Sequence, residues 1–306
     1  MVKVRVPATS ANMGPGFDCI GIALGLYNYI EIEQIEGSNI IIQNNIRTQN
    51  PFSVENNLIR CAAARVYEAC GKSCPSFFIK EKNTIPASRG LGSSAACIIG
   101  GMVGANKLLG SPLNRSELIH LATKMEGHPD NVVPCFLGGI GVSYWDGERV
   151  TWSRARLPQG IRMIMLIPPY TTKTANSRKG LPETVSHKDA AFNTAHAALL
   201  VASLMNGNTV SLKEALKDRL HQPYRLPSYA LPENLFQTIT DMGALGAYLS
   251  GSGSTIGVLA DKTAPQLESD LRAYFSEQNI DLQVKTLRPD ISGAVIQNDY
   301  RKDDHS

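Results

Sequence analysis

The segment PASRGLGSSAA, residues 86–96, constrains this chain more than any other part of its sequence. It is a Gly- and Ser-rich loop that runs directly into CIIGGMVGANKLL, an apolar segment with helical spacing. The first N–H groups of a helix have no intrahelical partner and carry partial positive charge. Gly90 and Gly92 let the backbone approach a ligand closely because they lack a Cβ, and Ser93 and Ser94 add hydroxyls. The segment therefore predicts a phosphate-binding loop.

Two other phosphate-binding patterns are excluded by their spacing. Residues 71–73 match the end of a Walker A loop, but Val66 stands where that loop requires its first glycine. Residues 90–95 fit a permissive dinucleotide fingerprint, which needs a strand directly before it and an acidic residue about 20 positions later. Residues 83–89 separate the loop from the preceding apolar segment, so we reject this pattern as well.

Length and charge bound the class of protein. The 306 residues suffice for two domains, which we predict at 1–155 and 160–296, followed by a polar tail at 297–306. Thirty basic and 27 acidic residues give a net charge of +3, too balanced for binding nucleic acid or a membrane through bulk charge. No apolar run reaches the ~18 residues of a membrane span, and the first residues lack a secretory pattern. We therefore expect a cytoplasmic protein with neither nucleic-acid nor membrane partners.

Hydrophobic periodicity predicts an α+β order of elements. The predicted strands cover residues 2–6, 26–36, 40–43, 76–83, 136–145, 161–169 and 281–289. The predicted helices cover residues 56–70, 97–109, 114–125, 189–207, 211–225 and 264–278. Residues 233–249 are predicted as a helix that leads into a strand, and residues 250–261 as a Gly- and Ser-rich turn followed by a strand. The pattern breaks at residues 152–160, which we interpret as a linker between the domains.

A polar cluster, EGHPDN at residues 126–131, follows the predicted helix 114–125. Two carboxylates and a histidine close together could bind a divalent cation or orient a substrate hydroxyl. The alternative is a helix end with a solvated turn. The apolar segment VVPCFLGGIGVSY directly after the cluster favours the functional interpretation.

Two further loops carry candidate ligand-binding groups. Asn12 and Asp18 lie in PATSANMGPGFD, and they either bind a ligand or stabilise turns through their side chains. Thr174 and Arg178 lie in the long loop after the strand at 161–169. An arginine beside hydroxyl groups suits an anionic small molecule, although such residues are also common on plain surfaces.

Three separated motifs resemble the GHMP small-molecule kinases: PATSANMGPGFD, PASRGLGSSAA and LSGSGSTIGV, in this order. Within that family the resemblance is closest to the homoserine kinases. It rests on Asn12 and Asp18 of the first motif, on EGHPDNVVP, on the spacing of Thr174 and Arg178, and on HQPYR, which ends in Arg225. The resemblance covers the chain except for its polar tail.

The resemblance implies a two-domain α+β fold. Its amino-terminal domain would be of the ribosomal-protein-like α/β type, with a left-handed βαβ unit that departs from the usual right-handed rule. Its carboxy-terminal domain would be ferredoxin-like. The order of predicted strands and helices is compatible with both domains.

The resemblance also implies a site for ATP, Mg²⁺ and L-homoserine, in a protein that forms homodimers. Mg²⁺ would be held by Ser94 and Glu126. The residues implied for ATP are Pro86, Ala87, Ser88, Arg89, Gly90, Leu91, Gly92, Ser93, Ser94, Ala95 and Ala96. Those implied for homoserine are Asn12, Asp18, His128, Asp130, Thr174, Arg178 and Arg225. Those implied for the chemical step are Asp130, Asn131 and Arg178.

Asn131 decides the expected mechanism. Relatives similar to mevalonate kinase place an aspartate base near the acceptor hydroxyl, and this chain has an amide at the matching position. Because an amide takes no proton at neutral pH, we expect the phosphate or water to accept the hydroxyl proton. Alignment and charge stabilisation would supply most of the rate.

Two alternative functions follow from the same motifs. One is a GHMP kinase that acts on another small hydroxyl compound; Arg178 and Arg225 favour an amino-acid carboxylate over a neutral sugar. The other is a non-catalytic ligand sensor on the same scaffold. A sensor would be expected to lack the magnesium and phosphate positions, whereas Ser94, Glu126 and the whole loop are present.

Overall fold

The computed structural model describes residues 1–36, 41–44, 57–172 and 174–297, without the side chains of 41–44 and 174–176. The strands are β1 (Val2–Ala11), β2 (Ile20–Ile35), β3 (Ile41–Asn44), β4 (Ser76–Lys82), β5 (Ile140–Trp145), β6 (Val150–Ala155), β7 (Ile161–Ile167), β8 (Gly246–Leu249), β9 (Ile256–Asp261), β10 (Gln283–Leu287) and β11 (Val295–Gln297). The helices are α1 (Leu58–Ala69), α2 (Ser93–Leu108), α3 (Arg115–Glu126), α4 (Pro129–Leu137), α5 (Thr174–Lys179), α6 (His187–Asn206), α7 (Leu212–Ala215), α8 (Gln222–Arg225), α9 (Leu235–Asp241) and α10 (Leu267–Glu277).

The first domain is a mixed sheet with helices packed on one face. The strand order is β11-β1-β2-β4-β3, and β5 joins β2 to β6. Alternation in β1 buries Val4 and Val6 while Lys3 and Arg5 lie on the other face. The buried face packs against α2 and α4, and α1 and α3 pack on α2. This arrangement places the start of α2 beside β1.

A βαβ unit links β3, α1 and β4, because β3 and β4 are parallel neighbours. The predicted strand at 40–43 therefore corresponds to β3. The surrounding residues 37–40 and 45–56 lie outside the described part of the chain. The left-handed sense of the unit stays a prediction.

The second domain contains a four-stranded antiparallel sheet in the order β10-β7-β9-β8. Helical segments connect β7 to β8, and α10 connects β9 to β10. Each of these crossovers skips one strand, which is the split βαβ pattern of ferredoxin-like folds. The expected two-domain α+β fold, with a ferredoxin-like second domain, is thus confirmed.

The polar loop after the first strand is shorter than the sequence predicts. β1 continues through Pro7 to Ala11, with a bulge between Pro7 and Ala8, and β2 begins at Ile20. A proline is tolerated there because β11 pairs only with Lys3–Arg5, so that no described strand needs an N–H from Pro7 on that side of β1. Only residues 12–19 remain as the loop, and the two strands bring it to the domain boundary.

The EGHPDN cluster contains a helix start that the sequence prediction missed. His128 is the N-cap of α4, Pro129 occupies its first turn, and Asp130 follows. Proline at the first helical position is typical of helix starts, because the missing N–H has no partner there in any case. The alternative of a helix end with a solvated turn is correct only for the helix end, since Gly127 is the C-cap of α3 and residues 128–131 are buried at the start of α4. The following strand begins at Ile140 rather than at Phe136.

The predicted helix 211–225 is broken in the middle. The carboxylate of Asp218 accepts hydrogen bonds from the backbone N–H groups of Leu220, His221 and Gln222 at 2.7–3.0 Å. A side chain that captures these donors competes with the helix ladder. The chain therefore forms α7 and α8 as separate short helices, and α8 carries Arg225.

The boundary between the domains also differs in detail from the prediction. The predicted linker at 152–160 includes part of β6, which pairs with β5 along its whole length. Near the other end, β11 pairs with β1 in the first sheet, although Val295 and Ile296 fall in the predicted second domain and Gln297 in the predicted tail. The chain therefore returns to the first domain after β10.

Candidate active site

A cavity of about 370 Å³ lies between the two domains. The phosphate loop and the start of α2 form one wall, and the end of α3 and the start of α4 form another. The second domain contributes Arg178, Arg225, Gly251 and Ser252. Segments far apart in sequence thus converge on a single cavity.

The phosphate loop has a backbone shape that few residues other than glycine adopt. Ser88, Gly90 and Gly92 have φ values of 56°, 75° and 66°. A Cβ on Gly90 would lie 2.1 Å from the carbonyl oxygen of Ser250, and one on Gly92 would lie 1.9 Å from the Thr9 hydroxyl. Positive φ at alternate residues makes successive N–H groups converge into an anion-binding nest. The loop geometry therefore suits phosphate.

Ser94 and Glu126 meet at the mouth of this loop. The Ser94 hydroxyl donates to Glu126 Oε2 at 2.8 Å. Burial raises the pKa of Glu126, although His128 and the Ser94 hydrogen bond act in the opposite direction. A hydroxyl and a carboxylate side by side are hard oxygen ligands, so their chemistry fits Mg²⁺.

The start of α4 presents a second polar group to the cavity. His128 Nδ1 and Asp130 Oδ1 lie 2.5 Å apart, and Asn131 Nδ2 donates to the same oxygen at 3.3 Å. Thr9 on β1 donates to Asn131 Oδ1 at 2.6 Å and fixes that amide. Burial lowers the pKa of His128, but the charges of three carboxylates and the hydrogen bond to Asp130 outweigh it and raise the pKa to about 9.

Two arginines and a carboxylate surround Phe17. Arg178 donates two hydrogen bonds to Asp18, at 2.6 and 2.8 Å. The guanidinium carbons of Arg178 and Arg225 lie 5.5 and 5.3 Å from the Phe17 ring centroid. Arg225 is buried, donates to the carbonyl of Gly251, and has an Nε with no partner among the described residues. Asp18 balances only one of the two cations, so the pair suits an added anion.

Asn12 has a position compatible with both interpretations made from the sequence. It lines the cavity, and its side chain donates to the carbonyl of Gly251 and accepts from the N–H of Asp18. Its φ of 70° is one that asparagine tolerates better than most residues. Asn12 therefore holds the loop in place while it faces the cavity.

Comparison with known proteins shows the family. Two family models match, GHMP kinases N terminal domain at residues 57–139 and GHMP kinases C terminal at residues 197–277. A homoserine kinase of Clostridium kluyveri is 40% identical over 96% of this chain and 98% of that protein. One of Moorella thermoacetica is 41% identical over 97% of this chain and all of that protein.

This chain belongs to the GHMP kinase family.

Solved structures agree with this assignment. The crystal structure of homoserine kinase from Cytophaga hutchinsonii aligns with a TM-score of 0.86 at 25% identity, covering 97% of both chains. The Methanococcus jannaschii mevalonate kinase aligns with a TM-score of 0.66 at 17% identity, covering 94% of this chain and 98% of that one. The second likeness concerns the fold alone.

Most of the predicted site residues of this GHMP kinase line the cavity. They are Asn12, Asp18, Ala87, Ser88, Gly90, Leu91, Gly92, Ser93, Ser94, Glu126, His128, Asp130, Asn131, Arg178 and Arg225. Ala95 and Ala96 are instead buried beneath the loop, and Pro86 is not in the cavity wall. Arg89 turns away from the cavity and donates to the carbonyls of Pro168 and Pro169. The side chain of Thr174 lies outside the described residues.

The sequence analysis of this GHMP kinase missed one end of the cavity, which is lined by Asn57, Leu58, Ile59, Glu81, Asn83 and Cys97. Here the Glu81 carboxylate accepts from the side-chain amides of Asn57 and Asn83 at 3.0 and 2.8 Å. Along β4, Glu81 is buried in phase with Phe77 and Ile79. The signal available in the sequence was a carboxylate at a position where the alternation of the strand predicts a buried apolar residue.

No helix among the described residues is long and apolar enough to cross a bilayer.

Proposed function

We propose that this GHMP kinase transfers the γ-phosphoryl group of ATP to the side-chain hydroxyl of L-homoserine. The product is O-phospho-L-homoserine, an intermediate of threonine biosynthesis. One observation carries the proposal: a single cavity joins a phosphate nest to a cluster of carboxylates and guanidinium groups. Relatives about 40% identical over nearly the whole chain, named homoserine kinases, support the choice of acceptor.

The charged cluster suits an amino-acid zwitterion. The partly unpaired Arg225 and the adjacent Arg178 can bind the carboxylate, and guanidinium groups do so through two parallel hydrogen bonds. Asp18 and Asp130 supply negative charge for the ammonium group. A neutral sugar would bring no anion to the buried Arg225, whose Nε has no partner among the described residues, and leaving that donor unpaired is costly.

The nucleotide occupies the remainder of the cavity in this proposal. Its phosphates lie in the nest and at the first N–H groups of α2. Its base lies at the end lined by Leu58, Ile59 and Glu81, where apolar and hydrogen-bonding groups alternate. Ser94 and Glu126 would hold Mg²⁺, which, when bound, neutralises negative charge on the phosphates.

No side chain of the site acts as a base in the proposed mechanism. Asn131 cannot accept a proton at neutral pH, and its amide is fixed by Thr9. His128, with a pKa of about 9, is already protonated. Asp130 accepts hydrogen bonds from both His128 and Asn131. The hydroxyl proton therefore passes to a phosphate oxygen or to water, and catalysis comes from alignment and charge stabilisation.

Asp130→Asn tests the absence of a base. We expect retained turnover with a KM for homoserine about tenfold higher, because one negative charge facing the ammonium group is lost. The measurement is the pH dependence of kcat and of kcat/KM. Abolished turnover, with unchanged homoserine affinity and loss of an ionisation from the profile, would identify Asp130 as the base.

Coupled ADP release tests the acceptor. We expect turnover with ATP and L-homoserine and little with L-serine, mevalonate or galactose. Turnover with another of these alcohols, and none with homoserine, would reject the acceptor while leaving the kinase assignment intact.

A matched pair of arginine variants tests the carboxylate site. Arg178→Lys keeps the charge and loses the two-pronged geometry, so we expect the KM for homoserine to rise about tenfold. Arg65→Lys makes the same exchange in an exposed pair with Glu68 and should leave KM unchanged. Equal effects of the two variants would contradict the assignment of Arg178.

A homodimer and a cytoplasmic location stay predictions.

A further inference from the structure

The phosphate loop is held from behind at four consecutive carbonyl groups. The carbonyl oxygens of Ser88, Arg89 and Leu91 accept from the backbone N–H groups of Thr172, Thr255 and Thr9, respectively, at 2.7, 3.2 and 3.1 Å. The carbonyl of Gly90 accepts from the Ser250 hydroxyl at 2.5 Å. Three of these four donors belong to the second domain. The second domain thus holds the carbonyl groups of residues 88–90, and β1 of the first domain holds that of Leu91.

These four contacts determine where the loop's own donors point. A trans peptide is planar, so the N–H of each residue points opposite to the carbonyl of the preceding residue. The N–H groups of Arg89, Gly90, Leu91 and Gly92 therefore point away from the four partners. With positive φ at residues 88, 90 and 92, such groups converge on one side as a nest. The hydrogen bonds to the loop's carbonyl groups thus determine the direction of its N–H groups.

The contact at Gly90 differs from the other three because a side chain makes it. A hydroxyl has one proton, and Ser250 donates that proton to the Gly90 carbonyl. In the 2.7 Å contact between Ser10 and Ser250, Ser10 must therefore be the donor. In the 2.8 Å contact between Ser10 and Tyr248, Tyr248 must be the donor. The three hydrogen bonds therefore form a hydroxyl chain with one direction of donation, from Tyr248 to Ser10, from Ser10 to Ser250, and from Ser250 to the Gly90 carbonyl.

This hydroxyl chain is fully enclosed and crosses the boundary between the domains. Tyr248, Ser10 and Ser250 are each 0% exposed. Burial raises the pKa of Tyr248, which keeps the phenol protonated and able to donate. Consecutive hydrogen bonds of one direction polarise each other and are stronger in a low-dielectric interior. The three hydrogen bonds therefore connect β8, through β1, to the phosphate loop.

We propose that Ser250, supported by Ser10 and Tyr248, is a positioning residue that aims the Leu91 N–H at the phosphates of the nucleotide. Ser250 touches the loop from behind and acts through the peptide between Gly90 and Leu91. This inference rests on the proposed function only in taking ATP as the co-substrate. It does not depend on the identity of the acceptor.

Ser250→Ala removes the hydroxyl that donates to the Gly90 carbonyl and changes the volume of the side chain only slightly. We expect affinity for a non-hydrolysable ATP analogue to fall roughly tenfold, as for the loss of about one hydrogen bond to a charged group. Affinity for adenosine, which has no phosphate, should stay within about twofold. Calorimetric titration of both ligands with Mg²⁺ present measures the difference. Ser203→Ala, which removes a buried hydroxyl of α6 that pairs with Ser211 and does not line the cavity, is the matched control and should change neither affinity.

Tyr248→Phe provides an independent variant if Ser250→Ala fails to fold. It removes the first donor of the chain and keeps the ring, so we expect a loss of about two- to threefold for the ATP analogue alone. The proposal would be overturned if either variant lowered the affinities for the ATP analogue and for adenosine equally. It would also be overturned if Ser250→Ala changed neither affinity. Because the titrations contain no acceptor, failure of the wild-type protein to phosphorylate homoserine would not affect them.

Discussion

His128 carries a proton at neutral pH because three carboxylates surround it. Asp130 contacts it directly, and Glu126 and Asp18 add their charges at longer range. The motif alone predicted a histidine near two carboxylates. It left open the charge of the histidine, which depends on burial and on Asp18 from a distant loop.

The stability of the protein should fall as pH rises from about 6.5 to about 9. The pKa of His128 is raised from 6.5 to about 9 in the folded state, so its contribution is complete below 6.5 and is lost as pH rises through 9. The loss should be at most about 3.5 kcal/mol, since the pKa rises by about 2.5 and one pKa unit corresponds to about 1.4 kcal/mol. Urea unfolding at a series of pH values measures it.

His128→Asn is the control for this pH dependence. The variant cannot titrate at this position, so its free energy of unfolding should change less between pH 6.5 and 9 than that of the wild type. Parallel curves for the two proteins would show that His128 is not the group responsible.

The helices α1 and α2 approach each other at a glycine. A Cβ on Gly101 would lie 2.4 Å from the backbone carbonyl of Ile59. Backbone cannot move aside as a side chain can, so this glycine sets the distance between the helices. The same contact fixes α1, whose N-cap, Asn57, lies in the cavity wall.

Gly101→Ala should lower the free energy of unfolding by about 2 kcal/mol. Alanine gains up to about 1 kcal/mol of helix propensity, but the overlap with backbone costs more. Urea denaturation measures the change.

Gly100→Ala is the matched control in the same helix. Its nearest obstacle is the Cδ1 tip of Ile30, which can rotate, so the loss should be smaller than that of Gly101→Ala. A larger loss at Gly100 would contradict the close backbone approach as the cause.

The carboxy-terminal segment after β10 closes the first domain. The buried Asp290 accepts from the N–H groups of Ser292 and Gly293 and from the Tyr27 hydroxyl. Its backbone pairs with Ala23 and Gly139. These bonds join the segment between β10 and β11 to β2 and to Gly139, just before β5. The second domain is therefore attached to the first at both of its ends.

Asp290→Ala should destabilise the protein by about 2–3 kcal/mol, because it leaves buried donors without acceptors. Thermal unfolding measures the loss. Asp146→Ala is the control: Asp146 also accepts from two backbone N–H groups, in an exposed turn where water can replace it, so its loss should be much smaller. Similar losses would argue against burial as the cause.

The sequence by itself predicted the local features of this protein. The phosphate loop, the helix after it, and most of the residues that line the cavity follow from residue type and spacing. Periodicity found the main strands and helices because each buries one face. It failed at α4 and in residues 211–225, where Pro129 and Asp218 decide the outcome through capping and side-chain bonds.

Only the tertiary structure decided what the loop faces and what holds it. Glu81 entered the cavity because β4 turns it inward, and Arg225 met Arg178 because both pack on Phe17. The orientation of the loop's N–H groups depends on donors as far along the chain as Thr255. Residue spacing identifies neighbours along a helix or strand, whereas the hydrogen bonds to the loop's carbonyl groups join residues 82 to 166 positions apart. The physical reason is that a peptide's direction is set by the partner of its carbonyl group, and that partner is supplied by the fold.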